Sequence, residues 1–327
     1  MAQNRLLYIH NFSNMKRFVT RTVLLILLPV LALVTVCEYF LRKIPDDYSY
    51  KNEWLTNKAN TVKILVIGSS DSFFGIEPCF FSENAFNAAH VSQSIKYDHF
   101  IFTKFFNEMD SLKVLVLSVP YGSMLEFGPE KGIEDWRAKY YSIDYGCKYH
   151  RFDLKYNLEI ENGLHLKNVA YSILGKINRR TCNDLGRDMD GNLKNREKNW
   201  EQTGAMAAKA QTVENIDTII WTKNKMLIED MINRCGQKHV YVILLTTPTY
   251  HTFRENLDPI QLDLMVESCE GFEKQHDNVC YLNLLADDRF QPDDFYDTDH
   301  LNEFGAEKLT FILQQVIDSI DLLNKGL

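Results

Sequence analysis

The sequence has no long basic block. Its 36 Lys and Arg are interspersed among 44 Asp and Glu, for a net charge of −8. Binding a phosphate backbone needs concentrated positive charge, so nucleic acid is excluded as a partner. Neither C-x-x-C nor H-E-x-x-H occurs, which leaves zinc without a ligand pattern, and no metal or cofactor is expected. The phosphate loop G-x-x-x-x-G-K-[ST] is also missing. The stretch GSSDSFFG, Gly68 to Gly75, has neither its lysine nor its spacing, and two glycines are too few for a dinucleotide fingerprint. Seven cysteines are present without a diagnostic spacing. Cys79, Cys147, Cys182, Cys235, Cys269 and Cys280 would be allowed to pair in an oxidising compartment, but no pairing is selected. In a chain of this size buried free thiols are the default.

What is present begins with an apolar segment. TVLLILLPVLALVTVC, Thr22 to Cys37, carries no charge, and EYFL extends it to Leu41. A bilayer-crossing helix needs about 20 apolar residues, and Tyr39 and Phe40 suit the interface. Arg5, Lys16, Arg17 and Arg21 precede it, so residues 1–21 are expected in the cytoplasm, residues 22–41 as a single-pass anchor, and the body of the protein in the periplasm. The alternative is a cleaved secretory leader, but no A-x-A site follows and VTVC is a poor lipobox. Residues 42–60, polar and rich in Lys, Asn, Asp and Tyr, read as a linker.

From residue 61 to 327 apolar runs recur at Val62–Ile67, Val114–Leu117, Val240–Leu245 and Val279–Leu282, with a weaker one at Ala85–Ala89. Unbroken β-branched and leucine-rich runs suit parallel strands covered on both faces. Amphipathic stretches alternate with them: Ser92–Met109, Ile219–Cys235 (stopping at Gly236), Asp258–Phe272 and Phe304–Leu323. The pattern predicts an α/β fold, a doubly wound, flavodoxin-like parallel sheet with flanking helices. Residues 122–214 are polar and lack strand signals, which reads as an inserted lid. Within them RDMDGN, Arg187 to Asn192, approximates a calcium loop, but Gly186 would fall on the first ligand position. A D-G turn is the better reading.

Two motifs carry chemistry. In ILVIGSSDSFFGI, Ile64 to Ile76, a buried strand ends in a hydroxyl-rich turn, and ligand sites of open α/β sheets lie at the carboxyl ends of their strands. A serine there needs a base to become a nucleophile. FYDTDHLNEFGAEKL, Phe295 to Leu309, offers His300, with Asp297 three residues earlier to orient its ring. Parallel topology returns this loop to the same sheet edge.

Taken together, ILVIGSSDSFFGI and DTDHLNEFGA resemble the first and fifth blocks of the SGNH (GDSL-type) hydrolase superfamily, over roughly Val62 to Leu323 with the insertion outside. The G-[NS]-S variant followed by Gly75, Ile76 and Pro78 is similar to membrane-anchored members in bacterial surface-polysaccharide loci. The resemblance implies Ser70 as nucleophile, His300 as base and Asp297 as orienting acid. It also implies oxyanion donors. The second block begins at Asn87, and Ser92 stands where glycine is usual, so the Ser70 and Ser92 N–H groups are the expected pair. In the third block Pro120 replaces the usual asparagine and donates nothing. Gln93, Tyr121 or the Gly122 N–H is then the expected substitute.

The implied function is acyl transfer on carbohydrate, as an esterase or an O-acetyltransferase, with an acyl-ester or glycan substrate and polysaccharide-assembly proteins as partners. Trp136, Tyr140, Tyr141, Tyr145 and Trp200 would either stack on sugar rings or form the core of the insertion. The competing expectation is an inactive member that binds glycan or scaffolds an assembly complex.

Overall fold

Ile64–Ile67 forms β1, buried along its whole length and paired in parallel on both sides. The structure is a computed structural model that describes residues 2–126, 134–148, 153–162 and 166–325. The other strands are β2 (Ala85–Asn87), β3 (Val114–Ser118), β4 (Tyr241–Thr246) and β5 (Val279–Asn283). They make one five-stranded parallel sheet in the order β2-β1-β3-β4-β5, with Leu65 opposite Leu115 and Leu115 opposite Val242. This is the doubly wound, flavodoxin-like order, whose switch point lies between β1 and β3.

The helices are α1 (Ala2–Leu41), α2 (Asp47–Lys58), α3 (Ser70–Gly75), α4 (Ile95–Phe105), α5 (Ala138–Ile143), α6 (Leu166–Ile173), α7 (Gly204–Gln211), α8 (Thr218–Gln237), α9 (His251–Arg254), α10 (Pro259–Gln275) and α11 (Glu303–Lys325). Period-two alternation divides the strand side chains between two helical layers. Leu65, Leu115, Val242 and Leu244 pack with Ile101, Phe102, Ile228, Met231, Met265 and Phe272 of α4, α8 and α10. Ile64, Val66, Val116 and Ile243 face Leu309, Ile312 and Leu313 of α11 on the other side. Local signals set the helix ends. Asp217 caps α8 by accepting from the Ile219 and Ile220 N–H groups, and Asp258 caps α10 ahead of Pro259. Gly236 does not end α8 as expected: the helix runs on to Gln237, and His239 takes the left-handed conformation, φ +56°.

Residues 42–60 are not a linker. Asp46 caps α2 through a capping box, and Tyr48, Lys51, Trp54 and Leu55 are buried. Trp54 stacks on Phe86 of β2 at 3.8 Å between ring centres. The polar composition concealed one buried helical stripe. No disulfide joins the cysteines among the described residues.

The chain divides into two compact units. The larger comprises residues 46–150 and 180–327 and holds the sheet. The other comprises residues 1–45 and 151–179. In it the region Met15–Leu41 of α1 is long and apolar enough to cross a membrane. Cys37, Leu41 and Ile44 form a small core with Val169 of α6. The Glu38 carboxylate accepts the N–H groups of Glu159 (2.9 and 3.1 Å) and Ile160 (3.2 Å) and pairs with Arg42. The region expected as one inserted lid is thus shared between the units, with 153–162 and 166–179 packed on α1 and the rest belonging to the sheet-bearing unit.

Candidate active site

The strand β1 ends at Gly68, whose φ is +142°. A Cβ there would stand 2.6 Å from the Ser118 Cβ at the end of β3, so only glycine lets the turn approach so closely. Ser69 follows in extended conformation and Ser70 opens α3. The Asp71 carboxylate accepts from the Ser69 and Ser118 hydroxyls, which ties the turn to the neighbouring strand.

Ser70 Oγ lies 2.7 Å from His300 Nε2. On the other side of the ring, Nδ1 is 2.9 Å from each Asp297 oxygen. In the neutral ring, a carboxylate facing Nδ1 keeps the proton there and leaves Nε2 free to accept from the serine. Asp297 also accepts the N–H groups of His300 (2.8 Å) and Asp299 (3.0 Å), so the D-x-x-H turn is closed on its own carboxylate. Asn302 fixes the next stretch. Its Nδ2 donates to the Asp293 and Phe295 carbonyls, while its Oδ1 caps α11 through the Phe304 and Gly305 N–H groups. Behind the ring stands Phe74, 5.1 Å from His300 between centres, and Gly191 is pressed against Phe74 where a Cβ would clash at 2.1 Å. The loop around Gly191 is a tight turn: Asp188 accepts the Asp190 and Gly191 N–H groups and the Thr181 hydroxyl, so its carboxylate is engaged within the protein.

Charges around the ring oppose its burial. Burial works against the imidazolium, but the Asp297 and Asp299 carboxylates outweigh it and raise the His300 pKa to about 10. For Asp297 burial acts upward, and the adjacent imidazole and N–H donors overcome it, leaving the carboxyl below its ordinary value. Burial lifts Asp299 to about 6. Asp297, Asp299 and His300 have ligand atoms within 4.8 Å of one another, close enough for a cation. These atoms are instead engaged by one another and by Gln211 Nε2, which donates to Asp299 at 2.6 Å.

The serine and histidine open on a cavity of about 160 Å³ at the carboxyl end of the sheet. Ser92, Pro120, Tyr121 and Gly122 line it, as do Asp71, Glu126 and Asp299. Ser92 has φ +55°, the left-handed conformation that favours glycine. Its hydroxyl donates to Glu134, whose other oxygen accepts from Arg137 at 3.0 Å. The loop leading to Ser92 is held from beneath. Lys51 of α2 is buried and donates to the Ala89 carbonyl, and His90 stacks on Tyr48 at 4.0 Å with Nε2 2.9 Å from the Tyr145 hydroxyl. Burial holds Lys51 down to about 8 and, helped by the charges of Lys51 and Arg137, keeps His90 well below its ordinary value.

Several expected residues stand elsewhere. Asn87 is fully buried. It donates to the Ser72 and Ile76 carbonyls and accepts the Ala89 N–H, so it braces α3 against β2 rather than facing the cavity. Gln93 is also buried, donating to Asp98 and accepting from the Tyr141 hydroxyl. The Tyr121 hydroxyl is taken up by the Asp258 N–H and Thr212. Tyr140, Tyr141, Tyr145 and Trp200 are core residues, and none lines the cavity; Trp136 is exposed beside Arg137. Sequence reasoning missed Asp299, Gln211, Asp71 and Ser118. Asp299 had the one available signal, its place inside the D-x-x-H turn.

No protein-family model matches the chain, and no curated protein matches it. The solved structures it resembles include two from Bacteroides. One, described as a "putative acylhydrolase" from Bacteroides fragilis NCTC 9343, is 11% identical, with a TM-score of 0.39 over 82% of this chain and 95% of that one. The other, a "GDSL-like lipase" from Bacteroides thetaiotaomicron VPI-5482, is 12% identical, with a TM-score of 0.41 over 84% of this chain and all of that one.

Proposed function

We propose that the protein is a membrane-anchored, SGNH-type serine acyltransferase or esterase acting on carbohydrate esters. The observation that carries the reading is the unbroken relay from Ser70 Oγ through His300 to Asp297, with contacts of 2.7 and 2.9 Å. Ser70 Oγ attacks the acyl carbonyl as its proton passes to His300 Nε2. The tetrahedral oxyanion is received by the N–H groups of Ser70, at the start of α3, and of Ser92. Collapse transfers the proton from His300 to the departing sugar oxygen and leaves an acyl-Ser70. Water completes hydrolysis, or a second sugar hydroxyl completes transfer.

The cavity supports the substrate class. The acidic residues Asp71, Glu126 and Asp299 line it, which disfavours anionic esters, and its volume of about 160 Å³ suits a short acyl group. The burial of Cys37, Leu41 and Ile44 against Val169 supports an uncleaved anchor over a leader. Removing the segment would strip this small core of most of its side chains. Pro120 favours the second reading, a glycan-binding protein without turnover, because it lines the cavity where a third oxyanion donor is usual.

The test is a serine-reactive fluorophosphonate on wild type, Ser70→Ala and His300→Ala, alongside release of acetate from an acetylated glycan. Labelling and release in wild type, both lost in the two variants, are expected. An unlabelled wild type would favour the binding protein.

A further inference from the structure

We propose that α6 is an interfacial helix that lies in the membrane surface beside α1 and gives the protein a second contact with lipid. The inference rests on reading α1 as an anchor. Its first support is a length. The charge-free, exposed stretch Thr22–Val36, at 1.5 Å per residue, covers only about 22 Å of a hydrocarbon layer about 30 Å thick. The next residues, Cys37 to Leu41, are the last of the apolar span that begins at Met15, and so lie at the edge of the hydrocarbon. Those are the residues on which α6 packs: Cys37 (1% exposed) and Leu41 (2%) meet Val169 (8%), and the Ser172 hydroxyl donates to the Phe40 carbonyl at 2.6 Å. The depth of α6 follows from that of its partner.

The second support is the face that α6 leaves open. Val169 and Ser172 point to α1. Leu166, Ala170, Ile173 and Leu174 follow at spacings of four, three and one, which on a helix is one contiguous apolar stripe. Leu166 is 59% exposed, Ile173 58% and Leu174 60%. In water such a stripe gains nothing, whereas beside an anchor's lipid-facing wall it continues the same apolar surface. The third support is the border of the stripe. Lys167 lies over the exposed Tyr171 ring at 5.4 Å, and Lys43, just past the end of α1, lies over the exposed Tyr39 ring at 4.8 Å. Tyrosines with lysines reaching past them are the usual furniture of the headgroup level.

The test uses the full chain reconstituted in vesicles of phosphatidylethanolamine and phosphatidylglycerol carrying a diazirine-bearing phosphatidylcholine. After photolysis, adducts are mapped by peptide mass spectrometry. Lipid adducts are expected on the α1 peptide and on the peptide containing Leu166 to Leu174, with loss of the second set in Ile173→Glu combined with Leu174→Glu. Both side chains are exposed, so the double variant keeps its fold, and retained α1 adducts would show that it is still inserted. Adducts on α1 alone would overturn the inference and leave the anchor standing. A crosslink from α6 to a second copy of the chain, in place of lipid, would overturn it as well. Absence of adducts from α1 itself would overturn the anchor and the inference together.

Discussion

Asp299 stands 3.8 Å from His300 Nδ1, just outside the hydrogen bond that Asp297 makes to the same nitrogen at 2.9 Å. It acts on the charge of the ring without orienting it. Two carboxylates beside one imidazole raise its pKa to about 10, and a general base must be neutral. The rate on an uncharged ester is therefore expected to rise with pH on the alkaline side of 6.5. Asp299→Asn removes one of the two charges that favour the imidazolium, so its pH–rate limb should move to lower pH by about one unit. A limb that stays in place would show that Asp297 alone sets the ring.

Ser92 yields a coupling experiment. In the left-handed conformation a serine is strained, and its hydroxyl is held by Glu134. Glu134→Gln should lower kcat by up to about 10²-fold by letting the Ser92 N–H drift from the oxyanion position. Ser92→Gly adopts the same backbone without the tether, so Glu134→Gln should cost it little. Equal losses in both backgrounds would remove the clamp from the account.

Lys51 links α2 to the same loop and should reveal itself in stability. Its pKa is about 8 in the folded protein, against an ordinary value of 10.5. Between these values the unfolded chain binds the extra proton, so folding becomes more favourable as pH rises through the window. The stability of wild type relative to Lys51→Met, followed by chemical denaturation, is expected to grow from pH 8 to 10. A flat difference would mean that the buried amine is not the titrating group.

Topology is read with reporters. Alkaline phosphatase fused after Leu327 should be active and a fluorescent protein that matures only in the cytoplasm should be dark, as the basic residues before Thr22 require. The opposite pair of results would invert the orientation.

The central strands were legible because runs such as Val114–Leu117 and Val240–Leu245 leave a chain no alternative to cover on both faces. The proximity of Ser70 and His300 was legible because each closes a strand-to-helix connection at one sheet edge. The helix α2 was not, since a buried Lys51 reads as surface until the Ala89 carbonyl that receives it is known. Asn87 and Gln93 were assigned to the site by the resemblance of their segment to the second block, but a motif does not say which way a side chain points. Here both turn inward to satisfy buried carbonyl and carboxylate groups. Asp299 looked like one more acid in a solvated loop.

The bonds between Glu38 and the Glu159 and Ile160 N–H groups impose an order on biogenesis. Glu38 and Glu159 are 121 residues apart. At about 5–20 residues per second the partners of Glu38 emerge roughly 6–24 s after it. During that interval the Glu38 carboxylate at the end of the apolar helix already has its ion-pair partner Arg42, one turn away. On the proposed anchor reading, Arg42 is the charge partner that Glu38 keeps while the segment inserts and the rest of its unit is still to be made. Losing Arg42 would then show first in the yield of inserted protein, and much less in the properties of the molecules that succeed.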